Sequence, residues 1–469
     1  MSLPTIRMPA PPGVYRERRK RLAASIDRPM VLFAGWARAR TYAANVHPFL
    51  PGSTYRYFGG PPMQGAAWLI EPGADGEGGC TLCRGVATFD DTVWIGEGPT
   101  DGAIASAAGI GVGALATPGG FEKLVGGRDA SVICPECPVA MGWWGRLGLK
   151  DATESERTAI IDMRLYKDAH ELTAMRRAAE IGVWAHQAAL AATGDGRWEA
   201  ELAGALMSIY VSAGAEPSFT PIVTVHGEIL HRDGYPDRMR KGQLLLVDAG
   251  AMEPDGYCSD ITRTWPVNGK LTGRQRAVYE TVLRAQRAAI EACVPGRRFR
   301  EVHDLAAGVI CEGLVDAGVL KGRADDLVSR RVHTLFFVHG LGHLLGLDVH
   351  DLEDFGDSAG YAPGRTRRAA FGDKFLRLDR DLAPGMVVTI EPGVYLIPAL
   401  WGNQELTSPF ADCVNRPVVD EMLAAGFGGI RIEDNIHVRQ ASAGGPENLT
   451  AALPTDAEAV CALVGRSVS

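Results

Sequence analysis

Asp248 and Asp260 lie twelve residues apart, each on a segment that reads as a strand. Lys241-Gly-Gln-Leu-Leu-Leu-Val-Asp248-Ala-Gly250 is an apolar run ending in an acid, and Tyr257 to Trp265 alternates apolar and polar residues around Asp260. Glu253-Pro-Asp-Gly256 between them is a strong turn signal. The midpoint of the two acids is Pro254, so an antiparallel hairpin predicts them directly opposite, Cβ atoms about 5 Å apart. Carboxylates that close, at the buried end of an apolar strand, must share a proton or share cations. Single acids recur on two further apolar strands, Glu391 within residues 385–393 and Glu433 within residues 429–438. Arg431, two residues before Glu433, faces the same side and is predicted to orient or balance it. Three of the chain's eleven histidines, His339, His343 and His350, fall within one short segment. Gly340, Gly342 and Gly346 in that segment predict close backbone approach rather than a regular helix. Four carboxylates with an imidazole form an oxygen-rich set that suits Mn²⁺ better than a thiolate-type zinc site. Shared carboxylates fit two ions about 3.5–4 Å apart, the arrangement that activates water. The chemistry predicted is two-metal hydrolysis.

Such a set needs a scaffold, and 469 residues are long for one core, so two domains are expected: residues 1–155 and 156–469. The first mixes a basic amphipathic helix, Tyr15 to Ile26, with candidate strands Met30 to Phe33, Ala66 to Ile70, Gly79 to Cys83 and Thr92 to Ile95. Gly109 to Gly113 lacks the strand–GxGxxG–helix context of a phosphate loop and reads as a turn or strand edge. The second opens with a helix over Ala169 to Ala192, whose His170-Glu171 lacks the second histidine of a zinc protease. Strands and helices alternate from Pro221 onward.

A hydrophobic content of 46%, 22% charged residues and a net charge of −8 describe a globular, mildly acidic surface. This disfavours nucleic acid or an anionic membrane as a partner. No apolar run approaches a bilayer span, Met1 to Pro12 has no apolar signal core, and a cytoplasmic protein is expected. Nine cysteines, an odd number, fit a reducing compartment. Cys80/Cys83 and Cys134/Cys137 are too far apart in sequence for the usual zinc spacing and read as small buried hydrophobes. The basic clusters Arg16 to Arg21, Arg330 with Arg331, and Arg365 to Arg368 read as solvated faces. Neither a Gly-x-Ser-x-Gly elbow nor a phosphate-binding P-loop occurs.

The segments RLYKDAHELTAMRRAA, VDAG…SDITRTWPVNG, HGLGHLLGLDVHD, PGMVVTIEPGVYLI and GGIRIEDN resemble, in order, those of the pita-bread metallopeptidases: methionine aminopeptidase, aminopeptidase P and prolidase. They span about residues 164–450. YRERRKRL and FDDTVWIGEGP resemble, more weakly, the smaller domain of aminopeptidase P and prolidase. The resemblance implies an α/β fold with a C-terminal pita-bread (creatinase/aminopeptidase) domain and a smaller N-terminal α/β domain. It implies two divalent metal ions, Mn²⁺ first, with Zn²⁺ or Co²⁺ as alternatives. Asp248 and Asp260 would hold one ion, His343 and Glu391 the other, with Asp260 and Glu433 bridging. The family's two aspartates are usually one residue closer, and the extra residue falls in the turn between Ala251 and Gly256. His231, His339 and His350 match histidines of the substrate pocket, and Arg431 matches the arginine beside the bridging glutamate. The implied reaction is hydrolysis of the Xaa-Pro bond. Glu391 would shuttle the proton, His350 would stabilise the oxyanion and His339 would confine the proline. Arg377, placed like the carboxylate-binding arginine of prolidases, and the long link between Glu391 and Glu433 favour a dipeptidase. The alternative is an Xaa-Pro aminopeptidase acting on longer peptides. Organophosphate hydrolysis and a non-catalytic pita-bread binding module are further readings. A homodimer or homotetramer is the family's expectation.

Overall fold

The computed structural model describes residues 8–73 and 79–466. The expected lack of an apolar leader at Met1 to Pro12 falls largely outside them. The chain divides into two compact units, Met1–Arg164 and Leu165–Ser469. The division lies beyond the expected 155 because the helix Glu154–Leu165 is tied to the first unit along its length. Glu156 receives Arg28, the Met163 carbonyl accepts the Tyr57 hydroxyl at 2.7 Å, and Arg164 donates to Thr54.

The first unit is built on a six-stranded mixed sheet. Its strands are β1 (Met30–Phe33), β2 (Ala67–Ile70), β3 (Cys80–Cys83), β4 (Leu115–Ala116), β5 (Ser131–Ile133) and β6 (Lys150–Asp151), in the order β4-β3-β2-β1-β5-β6. Val31, Phe33, Leu69, Cys83 and Val132 form a core with Phe121 and Trp143. Two expectations fail here. Thr92 to Ile95 is no strand but the end of a helix, Phe89–Ile95, started by a capping box in which Thr88 and Asp91 satisfy each other's backbone. Local capping outweighs the β-branched and aromatic preference of Thr-Val-Trp-Ile, since among the described residues no strand pairs it. Nor are Arg18 and Arg19, on the helix Pro12–Ala23, solvated: both are buried. Arg19 donates to the carbonyls of Phe58 (2.7 Å) and Ala108 (2.8 Å), and its guanidinium stacks over Trp68.

Among the described residues the second unit carries ten strands. β7 (Glu216–Pro217) pairs with β10 (Ala251–Met252), and β8 (Ile222–Thr224), β9 (Leu244–Ala249) and β11 (Ile261–Pro266) form a sheet in the order β11-β9-β8. β12 (Val387–Ile390), β15 (Asp434–His437) and β16 (Glu447–Asn448) form another, while β13 (Gly393–Tyr395) pairs with β14 (Gly429–Arg431). β9 and β11 are buried at every position, which explains the near-continuous apolar character of β9; in β11 the buried Thr262, Arg263 and Thr264 are hydrogen-bonded instead. Helices Ala169–Ala192 and Glu199–Ser212 pack with them through Ile181, Leu190, Leu202 and Leu206 around Trp265. The Trp265 indole N–H reaches the Thr193 hydroxyl at 3.0 Å, so its burial leaves no donor unmet. Glu171, beside His170, has a structural role: it closes the capping box of the first helix and accepts the Tyr257 hydroxyl.

Candidate metal centre and substrate cavity

β9 and β11 form the expected antiparallel hairpin, but Asp248 stands opposite Thr262 rather than Asp260. The turn centres on Asp255, not Pro254: Glu253 N–H reaches the Tyr257 carbonyl, and Met252 pairs with Cys258 in the same register. The slip is two residues, so Asp260 keeps the face of Asp248 and lies diagonally from it. Gly250 takes the place opposite Asp260, where a Cβ would lie 1.9 Å from the Ser259 carbonyl oxygen. Asp260 precedes β11, and the Asn435 side chain holds its backbone on both sides. The Asn435 amide oxygen accepts the Asp260 N–H at 3.1 Å and its NH₂ donates to the Asp260 carbonyl.

Glu391 follows β12 directly, and Glu433 sits in the break between β14 and β15. Arg431 lies close enough to Glu433 for their charges to attract, and its Nε donates to the Thr262 hydroxyl at 3.0 Å, but its direct hydrogen bonds to charged and phenolic groups go elsewhere. Arg431 Nη2 donates to Asp248 Oδ2 at 2.6 Å and Nη1 to the Tyr395 hydroxyl, while Glu433 accepts from the Thr262 hydroxyl at 2.7 Å. The Glu433 N–H donates to the Thr262 carbonyl at 3.0 Å, which brings the Thr262 hydroxyl within reach of the Glu433 carboxylate. His343 is held by Thr389, whose hydroxyl accepts the His343 N–H and whose own N–H donates to the His343 carbonyl. The glycines before it allow that approach: a Cβ on Gly342 would meet the Thr389 oxygen at 1.9 Å.

The structure thus gathers all five predicted ligands. His343 Nε2 lies 3.4 Å from Asp260 Oδ2 and 3.9 Å from Glu391 Oε1. Two sets, His343/Glu391/Glu433 and Asp248/Asp260/Glu433, each place their donor atoms within 4.8 Å of one another, and Asp260/His343/His350 form a third. Burial, then repulsion from neighbouring acids, holds the Asp260 and Glu433 carboxyls well above the usual carboxylate range. Burial lifts Glu391 to about 8 despite the opposing pull of Arg431. His343, buried, drops to about 4 and is a neutral donor. Asp248 Oδ1 and Asp260 Oδ1 are buried with no hydrogen-bond partner. Crowded carboxylates, bare buried oxygens and a neutral imidazole are the donor set of a divalent-cation site, so the residues fit the metals the sequence implies.

The site opens into a cavity of about 940 Å³ lined by His231, His339, His350 and Arg377, with Phe219, Phe371, Phe375, Ile397, Leu400 and Leu406 among its apolar walls. His339 bonds the Tyr395 hydroxyl at 2.8 Å, and burial drops it to about 3. His350 stacks against His343, ring centres 4.0 Å apart, and Glu353 sits 3.2 Å from its Nδ1. His231 is lowered by burial, then by Arg431. Arg377 pairs with Glu353 at 2.7 Å. The long link folds into helices Pro398–Trp401, Gln404–Thr407 and Arg416–Ala424, and its first part supplies cavity wall. Sequence reasoning passed over Thr262, Thr389, Asn435, Tyr395 and Glu353. Thr262, Asn435 and Thr389 each lie two residues from a ligand on an extended segment, a spacing that puts them on the ligand's face. Glu353 sits in a turn and carried no such signal. Cys80 and Cys83 lie on β3, and Cys134 and Cys137 flank a turn before the helix Pro138–Leu147; all four are free thiols.

Paired strands thus converge buried carboxylates and an imidazole on a cavity, the arrangement of a candidate divalent-cation centre. Residues 173–440 match Metallopeptidase family M24, and the chain belongs to that family. The Xaa-Pro aminopeptidase of Escherichia coli (strain K12) is 36% identical over 311 residues, 66% of this chain and 61% of that protein. The Xaa-Pro aminopeptidase of Haemophilus influenzae is 36% identical over 303 residues, 64% of this chain and 61% of that protein. The match therefore spans about three fifths of the length of these relatives. Over 97% of this chain, aminopeptidase P from E. coli with the inhibitor Pro-Leu superposes at a TM-score of 0.79 and 29% identity, covering 98% of that chain. Proline aminopeptidase P II from Yersinia pestis superposes at 0.78 and 29% identity, over 97% of this chain and 99% of that one. The chain has the expected α/β fold, a pita-bread domain after a smaller N-terminal α/β domain. The names of these relatives favour the aminopeptidase alternative over the dipeptidase reading. Among the described residues no helix is long and apolar enough to cross a membrane.

Proposed function

We propose that this chain is an Xaa-Pro aminopeptidase, removing the first residue of peptides whose second residue is proline. One observation carries the choice over a dipeptidase. The cavity is lined by Arg232, Arg377 and Arg431, and each already pairs with a carboxylate: Asp237 at 2.9 Å, Glu353 at 2.7 Å and Asp248 at 2.6 Å. A dipeptidase must grip the free carboxylate beside proline, best with an uncommitted arginine. A longer peptide brings only a neutral amide to that place.

Asp248, Asp260, His343, Glu391 and Glu433 would hold two divalent cations, Mn²⁺ in our reading, which when bound supply Lewis-acid polarisation and an activated water. Glu391 is the acid most open to the cavity, with 18% of its side chain exposed against 12% for Asp248 and 7% for Asp260. It is placed to take a proton from water and deliver it to the proline nitrogen. His350, which lines the cavity with its ring centre 4.0 Å from that of His343, would donate to the developing oxyanion. His339, fixed by Tyr395, and His231 would confine the proline, and Arg431 holds Asp248 in place. Residues 156–469 would carry catalysis and residues 1–155 a smaller associating domain, in a cytoplasmic homodimer or homotetramer. Purified protein with Mn²⁺, offered an Xaa-Pro dipeptide and an Xaa-Pro tripeptide side by side, tests the reading. Preferred cleavage of the tripeptide is expected; cleavage of the dipeptide alone refutes it.

A further inference from the structure

We infer that Glu353 sets substrate length by occupying Arg377, so that the cavity rejects peptides ending at proline. The inference rests on the aminopeptidase reading above. Glu353 begins a single turn, Glu353–Phe355, three residues after His350. Leu352, immediately before it, is fully buried yet adopts the left-handed conformation, φ +66°. A branched side chain holds that conformation at a cost of roughly 1–2 kcal/mol, so packing fixes the turn and with it the direction of Glu353.

The Glu353 Oε2 atom accepts from Arg377 Nη1 at 2.7 Å and lies 3.2 Å from His350 Nδ1. One carboxylate oxygen therefore serves two residues of the substrate cavity. Arg377 lines both the main cavity and a smaller one of about 70 Å³, whereas Glu353 lines only the smaller. Glu353 thus sits behind Arg377 and draws its guanidinium away from arriving substrate. The carboxylate of a dipeptide must displace a resident carboxylate and then stand beside it, an arrangement of like charges. A peptide continuing past proline presents a carbonyl and meets neither obstacle. Both side chains keep more than a third of their surface, 39% for Arg377 and 38% for Glu353, so Arg377 has room to turn once released.

The test compares Glu353→Gln with the parent protein, both loaded with Mn²⁺, on an Xaa-Pro dipeptide, its C-terminal amide and an Xaa-Pro tripeptide. The dipeptide and its amide differ only in the charge at issue, so their ratio removes changes at His350 that affect both substrates alike, and the Arg377→Met variant separates the rest. Glu353→Gln is expected to raise kcat/KM for the dipeptide relative to the amide roughly tenfold, the size of one charge-assisted hydrogen bond, chiefly through KM. Adding Arg377→Met to Glu353→Gln should abolish that gain. Glu353→Ser provides the same comparison should the glutamine variant not fold. An unchanged ratio in both variants, or a gain that survives loss of Arg377, overturns the inference while leaving the aminopeptidase reading intact. A parent protein that prefers the dipeptide to the tripeptide overturns the reading itself.

Discussion

Asn435 is the residue whose removal best separates a positioned site from a mere collection of acids. Its amide serves the Asp260 backbone as a strand would, accepting the N–H at 3.1 Å and donating to the carbonyl. Asp260 and Asn435 are both buried, so Asn435→Ala leaves a donor and an acceptor without water to replace the lost bonds. Each orphaned group costs about 1–3 kcal/mol, and the pair about 4. For a unit of this length, at roughly 2 °C per kcal/mol, the melting temperature should fall by about 8 °C. Asp260 also belongs to two of the three donor sets, so the gain in melting temperature on adding Mn²⁺ should shrink as well. Calorimetry of both proteins, with chelator and with Mn²⁺, reads both effects. A variant that melts within about 2 °C of the parent under both conditions refutes the idea that Asn435 positions Asp260.

Thr389→Val keeps the shape of Thr389 but removes the acceptor for the His343 N–H, so Mn²⁺ affinity by calorimetric titration should weaken about tenfold, while Thr389→Ser stays near the parent. Chelation should lower the melting temperature, because the acids around Asp260 then repel one another uncompensated, and added Mn²⁺ should restore it; a curve indifferent to chelator counts against the metal assignment. His186 and His333, lowered by burial from 6.5 to about 4, stay neutral in the folded chain while the unfolded chain protonates them. Their contribution is complete above about pH 6.5 and is lost as pH falls toward 4, about 3 kcal/mol each at the lower end. Denaturant titrations between pH 7 and 4 should show that slope, and His333→Leu should flatten it. Lys167 and Asp351 form a buried pair at 2.8 Å, so Lys167→Met should cost about 3–5 kcal/mol in the same titration.

Three of the acids were legible because buried charge is rare on apolar strands, and Asp248, Glu391 and Glu433 each stand in such a run; Asp260, on an alternating segment, was legible through its hairpin spacing from Asp248. The hairpin was legible through Glu253-Pro-Asp-Gly256, but its register was not: placing the turn's centre at Pro254 or Asp255 depends on which backbone groups pair. The cost of that error was small, since a two-residue slip preserves the face. Arg431 shows a deeper limit. Its spacing from Glu433 predicted a neighbour along the strand, whereas the stronger partner, Asp248, came from 183 residues away. Trp94 and Ile95 misled for the opposite reason: their strand preference was real, and Thr88 with Asp91 overrode it locally. Arg377 lies in the cavity wall, and its ion pair with Glu353, which follows a buried left-handed leucine, is a contact that no sequence pattern announces.

The bonds that tie Asp248 to Arg431 and Thr262 to Glu433 span 183 and 171 residues. At about 5–20 residues per second, a ribosome that has released Asp248 takes roughly 10–35 s to supply its arginine. During that interval the hairpin carries its two aspartates without the guanidinium that bonds Asp248 or the glutamate that completes the donor set. Glu433 belongs to two of the three donor sets, so the site is complete only once nearly the whole chain has been made, and a truncation before Glu433 is expected to lose Mn²⁺ binding.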